Sequence, residues 1–371
     1  MKNNPLEQLE ALGQSIWLDY IRRDLIAGGG LRRLIEEDGL KGMTSNPAIF
    51  EKAIDESADY DRDIRSLAYQ GKGAVEIYET LCRRDVQSAA DEFRSVYDRT
   101  KGRDGYVSLE VNPHLAHDTG GTIQEARRLW GALDRANVFI KIPATKEGLP
   151  AIQQLISEGI NVNVTLLFGL PRYRQVVEAF LSGMETRVSQ GRSVEEVASV
   201  ASFFVSRIDA RVDPLLETII SQGGKGVGLA KTLRGQIAIA SAKEAYRIYQ
   251  EIFEGGRFKT LADRGARSQR LLWASTGVKN PDYSDVKYIE ALIGPDTVNT
   301  VPVETLNAYR DHGDPKIRLE QDVAGASMDL ARLPELGLNI DLLTQQLEDE
   351  GVDKFIKPFD KLIQTLEKKL T

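Results

Sequence analysis

Val138-Phe139-Ile140-Lys141-Ile142-Pro143-Ala144-Thr145 is an apolar run with a single lysine at its centre, preceded by Asn137 and stopped by Pro143. A run of this length and composition reads as a strand buried on both faces. An ammonium group there has to shed its water, and a neutral amine does not. Bringing a lysine from its usual value of about 10.4 to near 7 takes roughly three units, or ~4 kcal/mol, which burial beside few compensating charges supplies. A neutral, buried lysine is a nucleophile able to condense with a carbonyl. The same side chain at a strand end can instead snorkel to water or pair with a carboxylate. Phe355-Ile356-Lys357-Pro358 looks similar but lies in an amphipathic, charge-dotted stretch, where a solvated lysine is expected. What sets Lys141 apart is its company.

Outward from this run, strand and helix patterns alternate. Upstream, Ser15 to Tyr20 reads as a first strand, Gly39 to Pro47 contains a short second one that ends in a Ser45-Asn46-Pro47 turn, and Tyr106 to Pro113 is a third. The third alternates strictly and puts Ser108, Glu110 and Asn112 on one face. Helical patterns cover 31–38, much of 48–98, and 122–135. Downstream, Ile160 to Phe168 is a fifth strand with Asn161, Asn163 and Thr165 on one side and Val162, Val164 and Leu166 on the other. Val197 to Asp209 reads as a sixth, carrying Ser202 and Arg207. Their opposite parity requires one of them to lie past the regular strand or beyond a bulge. A long helix over 232–253, a seventh strand Arg270 to Thr276, an eighth Thr297 to Pro302 and a helical remainder complete the chain. Lys141 then sits on the fourth of eight strands, each followed by a helix, which predicts an α/β fold of the (β/α)8 barrel type over 1–371 with further helices from about 305. An open doubly wound sheet is the alternative. The count of eight, and polar residues at strand ends throughout, favour the barrel.

Composition sets bounds on function. The 371 residues are 42% hydrophobic and 28% charged with a formal net charge of −7 and both signs interspersed, which argues against a nucleic-acid partner. One cysteine, Cys82, cannot form an internal disulfide and suits a reducing compartment. No run approaches membrane-spanning length and the start is polar, so a cytoplasmic protein with no membrane partner is expected. Three histidines leave little material for zinc or a histidine-based triad, and His114 and His117 fall where Pro113 breaks a strand. Gly223 to Gly228 has neither nucleotide-binding spacing and reads as a mobile loop before a helix. Monomer and homodimer both remain open.

In a barrel the carboxyl ends of the strands converge, which brings Asp19, Asn46, Glu110, Lys141, Asn163, Thr165, Ser202 and Ser275 to one mouth. Singly, most have plainer readings. Asp19 and Asn46 suit helix or turn caps, and Asn163 with Thr165 a structural hydrogen-bond pair. Glu110 in mid-strand is harder to explain, because a buried carboxylate demands a partner. Together, one or two per strand around a lysine, they read as a site.

These residues fall within recognisable motifs: Gly42-Met43-Thr44-Ser45-Asn46-Pro47, Val107-Ser108-Leu109-Glu110-Val111, Phe139 to Thr145, Asn163-Val164-Thr165-Leu166-Leu167-Phe168, and Ser202 to Asp209. Taken together they resemble the transaldolases, of the longer bacterial type, from Asn4 nearly to the end. The resemblance implies a class I aldolase barrel that needs no cofactor and no metal. Lys141 would form the Schiff base, Asp19 would handle the proton of the C4 hydroxyl, and Glu110 would act with Thr165 through a water. Asn46 and Asn163 would hold substrate hydroxyls, with Ser202 in the same shell, and Arg207 and Ser275 would receive the phosphate. Many transaldolases carry a second phosphate-binding arginine two residues after that serine. Gly277 stands there in this chain, and Lys279 is read as supplying the second charge.

The expected activity is transfer of a dihydroxyacetone unit between sugar phosphates, from sedoheptulose 7-phosphate to glyceraldehyde 3-phosphate, giving erythrose 4-phosphate and fructose 6-phosphate in the pentose phosphate pathway. Two alternatives are a fructose 6-phosphate aldolase that releases free dihydroxyacetone and a non-catalytic sugar-phosphate-binding barrel. The paired acids Asp19 and Glu110 speak against the first, and the full set of reactive residues against the second.

Overall fold

A computed structural model describes residues 4–370. Eight parallel strands close on themselves: β1 (Gln14–Asp19), β2 (Gly42–Thr44), β3 (Tyr106–Glu110), β4 (Val138–Pro143), β5 (Val162–Leu167), β6 (Ser199–Phe204), β7 (Arg270–Ala274) and β8 (Thr297–Val301). Each pairs with the next in sequence, and β8 pairs with β1, Gln14 opposite Thr297. With helices outside, the α/β barrel expected from the alternation is the fold. No helix among the described residues is long and apolar enough to cross a membrane.

Side-chain alternation sorts each strand into an outer face against the helices and an inner face that fills the barrel in layers. On β1 the inner set is Ser15, Trp17 and Asp19. At the floor Arg270 of β7 pairs with Asp104 at 2.9 Å and donates to Ser15 Oγ at 2.9 Å, while Ser15 and Trp17 also donate to Asp104. Above this plug Trp17 stacks on Phe139, which stacks on Tyr106. Gly42 makes room for the indole: a Cβ there would lie 2.6 Å from the Trp17 ring. The polar top layer remains for chemistry.

Four expectations need correcting. The sixth strand stops at Phe204 and not at Asp209, and the chain turns into a helix, Ser206–Gln222, so Arg207 lies past the regular strand, as its parity against Ser202 allows, on a first helical turn. The third strand stops at Glu110, and Asn112 caps the short 3-10 helix Pro113–Leu115 by accepting from the His114 N–H. The helix expected over 232–253 is two, Val227–Leu233 and Ile237–Phe253, parted at Gly235, whose φ of 72° a continuous helix does not permit. Along β5 the register against β6 shifts between Val164 and Leu167, with Leu166 at φ 57°. That bulge turns Leu166, placed by alternation on the outer face, toward the neighbourhood of Glu110 and Lys141.

The last long helix, Ile340–Leu370, crosses back over the barrel. It packs on β5, on the helices Pro47–Asp55 and Ala74–Glu92, and on the 3-10 turn after β3. Pro358 lies inside it.

Candidate active site

A cavity of about 1360 Å³ opens at the carboxyl ends of the strands. Asp19, Asn46, Lys141, Thr165, Ser202, Arg207, Ser275 and Lys279 all line it. Glu110, which does not line it, joins Lys141 and Thr165 around a second, much smaller cavity of about 20 Å³ bordered also by Pro113, Val352 and Phe355.

Lys141 is 5% exposed, in the middle of β4. Its Nζ donates to the Ser45 carbonyl at 2.9 Å and lies 2.6 Å from Glu110 Oε1. The expectation of few compensating charges is therefore overturned: a carboxylate 8% exposed stands in contact with the amine. The register explains it, since Glu110 on β3 is directly opposite Lys141 on β4, on the same face. Burial raises the Glu110 carboxyl above its ordinary value, and the Lys141 charge opposes that rise. The contact is a charge pair without hydrogen-bond alignment, and both Glu110 oxygens and Thr165 Oγ1 are buried with no hydrogen-bond partner. These unpartnered groups border the smaller cavity, which has room for one water.

Asp19 ends β1 and accepts from Thr44 Oγ1 at 2.7 Å. Thr44 in turn lies 2.7 Å from Thr300 Oγ1 on β8. A hydroxyl has one proton, so while Thr44 donates to Asp19, Thr300 donates to Thr44. Burial raises the Asp19 carboxyl, and the Lys141 charge, the Thr44 hydroxyl and Arg207 work against it. Asn46 both caps and lines: its Oδ1 accepts from the Ile49 N–H at the start of Pro47–Asp55, and the residue borders the large cavity. Asn163 stands a layer lower, fully buried, donating to Ser108 Oγ at 3.1 Å and accepting from Ser202 Oγ at 2.6 Å.

At the far side Ser275 has φ 53°, left-handed backbone that a serine adopts only under constraint. The constraint is visible: the Ser206 N–H donates to the Ser275 carbonyl at 3.0 Å and the two hydroxyls are 3.1 Å apart. This joins the end of β7 to the start of Ser206–Gln222, a helix N-terminus suited to an anion. Arg207 stands there with Nη1 buried and unpartnered. Burial lowers its guanidinium from the usual value, and Asp19 alone opposes this. Lys279, exposed, lines the same cavity. At Gly277 a Cβ would come 3.0 Å from Pro302 Cγ, so a longer side chain requires Pro302 to give way.

The sequence of this chain is similar to known ones. A family model described as transaldolase/fructose-6-phosphate aldolase matches residues 16–366. The chain belongs to this family. A transaldolase of Trichodesmium erythraeum is 48% identical over the whole of this chain and 98% of its own length. Relatives from Nostoc, named transaldolase 2, and from Saccharopolyspora erythraea, named transaldolase, are 46% and 47% identical over 100% and 99% of this chain and 98% of their own lengths. Within the transaldolase frame three contributors escape the sequence reading. Thr44 was legible, being inside a quoted motif at the end of β2. Thr300 needs the pairing of β8 with β1 to bring it near Asp19. Phe355, from the stretch taken as a solvated contrast, is buried with its ring centroid 6.0 Å from Lys141 Nζ. His114 and His117 lie on the surface against Asp360 and Glu147.

Proposed function

We propose that the chain transfers a dihydroxyacetone unit from a ketose phosphate to an aldose phosphate through an imine at Lys141, in the direction sedoheptulose 7-phosphate to glyceraldehyde 3-phosphate or its reverse. The observation that carries this reading is a buried amine on β4 in contact with a buried carboxylate at the bottom of a polar cavity. Glu110, raised by burial, is suited to take the ammonium proton and return it to the departing hydroxyl, which frees the amine to add to C2 and lets water leave. A water in the small cavity would reach Glu110 and Thr165 together. Asp19 as a carboxylate removes the proton from the C4 hydroxyl. The C3–C4 bond then breaks, its electron pair flows into the iminium, and the shortened aldose leaves. The resulting enamine attacks the next aldehyde, Asp19 gives the proton back, and water adding at C2 breaks the C2–Nζ bond to release the new ketose and restore the amine.

Asn46 and Ser202 supply neutral hydrogen bonders that orient the sugar without quenching the iminium, while Asn163, which lines neither cavity, holds the Ser202 hydroxyl in place. Arg207, Ser275 and Lys279 form the phosphate end, and the unpartnered Arg207 Nη1 supports that assignment. Borohydride reduction in the presence of fructose 6-phosphate tests the reading. A three-carbon mass increase on the peptide containing Lys141 is expected, and an adduct elsewhere, or none, overturns it.

A further inference from the structure

The enamine left after cleavage has a second fate besides transfer. If its C3 takes a proton and water adds at C2, the C2–Nζ bond breaks and dihydroxyacetone departs, restoring the free amine. The water released when the imine formed is consumed when it is hydrolysed, so the net reaction is simple cleavage of the ketose. Both fates need water at C2 to free their product, so which prevails depends on whether a proton donor, bulk water included, reaches C3 of the enamine before an aldehyde does.

On one side the space around Lys141 is closed by a single aromatic ring. Phe355 is 8% exposed and lines both cavities, and Val352, one turn earlier on the same helix, lines the smaller one. The helix that carries them is held along its length. Glu348 pairs with Arg172 through contacts of 2.9 and 3.1 Å, Asp360 meets His114 at 2.7 Å, and Lys361 meets Glu51 at 2.5 Å. Gly351 lets it close on the β5 bulge, since a Cβ there would be 3.1 Å from Leu166 Cδ2. A ring fixed this way offers no proton and no hydrogen-bonding group, so a water in the small cavity has only the unpartnered groups of Glu110 and Thr165 to hold it, and the ring face tolerates a cationic imine.

We propose that Phe355 is a specificity-determining residue that keeps bulk water from C3 of the lysine-bound three-carbon unit and so sets the ratio of transfer to release. This rests on the imine reading above. The test supplies fructose 6-phosphate with and without erythrose 4-phosphate and measures dihydroxyacetone freed per ketose cleaved. Phe355→Ala should raise the freed fraction about tenfold, and Phe355→Leu, which keeps apolar bulk, should stay near wild type. A ring that only fills space would change stability and turnover and leave that fraction unmoved. An unchanged fraction in folded Phe355→Ala, with imine trapping intact, overturns the proposal. If Phe355→Ala does not fold, Phe355→Gln, of similar reach but hydrated, decides in the same way: a raised fraction supports the role and an unchanged one removes it. Failure of the wild type to form any trapped adduct overturns the imine reading itself, so the two failures are distinct.

Discussion

A carboxylate that must accept a proton is useful only while ionised, and for Asp19 four neighbours, Lys141, Thr44, Arg207 and Lys279, work toward that state against burial. Its value is raised, so as pH falls the base form disappears above the ordinary carboxylate range near 3.8, and kcat/KM should fall there too. Thr300→Val removes the hydroxyl that donates to Thr44 and so polarises the Thr44 bond to Asp19, which weakens support for the carboxylate and moves this acid limb to higher pH. Thr300→Ser should restore it, and a pH–rate profile unchanged in Thr300→Val would show the relay to be idle. Asp19→Asn keeps the shape and loses the base, so kcat should drop by about 10²–10⁴-fold while imine trapping persists. Arg207→Ala should raise KM for phosphorylated acceptors about 10–100-fold, the equivalent of ~1.5–3 kcal/mol for hydrogen bonds to a charged group, with a smaller effect on kcat. Equal losses in both would mark the arginine as structural. Lys141 and Glu110 could be found from sequence because burial makes each an anomaly in an apolar strand. Their pairing could not, because it depends on the register between β3 and β4. Thr300 is an ordinary strand threonine until the barrel closes.

At the scale of elements, regular alternation was readable and its interruptions were not. Each of the eight strands overlaps the stretch read as a strand, because an inner and an outer face impose a period of two, while the third and sixth stop short of their expected ends. The bulge on β5 follows from packing against β6 and the C-terminal helix, not from any local turn residue. Parity alone marks a break between Ser202 and Arg207, but that the break is a switch from strand to helix rests on contacts with the end of β7. Glycine was read as punctuation, yet Gly42 has a packing role. Gly42→Ala would press on the Trp17 ring and destabilise the barrel by about 1–3 kcal/mol, the usual range for overpacking. Urea unfolding monitored by fluorescence checks this, and no loss of stability would mean that the indole has somewhere else to go.

For the molecule as a whole, the division between a bottom that stabilises and a top that reacts is sharp. The Arg270–Asp104 plug ties β1, β7 and the entry to β3 together with no link to the cavity. Arg270→Met should therefore destabilise by about 3 kcal/mol, the lower part of the range for a broken buried pair because Ser15 and Trp17 still donate to Asp104, and leave kcat per folded molecule unchanged. A fall in kcat without a fall in stability would refute this separation of roles. Closure of the sheet has a temporal side as well. Gln14 and its hydrogen-bond partner Thr297 are 283 residues apart. At ~5–20 residues per second of synthesis, the growing chain exposes the outer edge of its first strand for roughly 15–60 s before the eighth exists to cover it. For that interval the ribosome holds an unsealed sheet ready to pair with a neighbouring nascent chain.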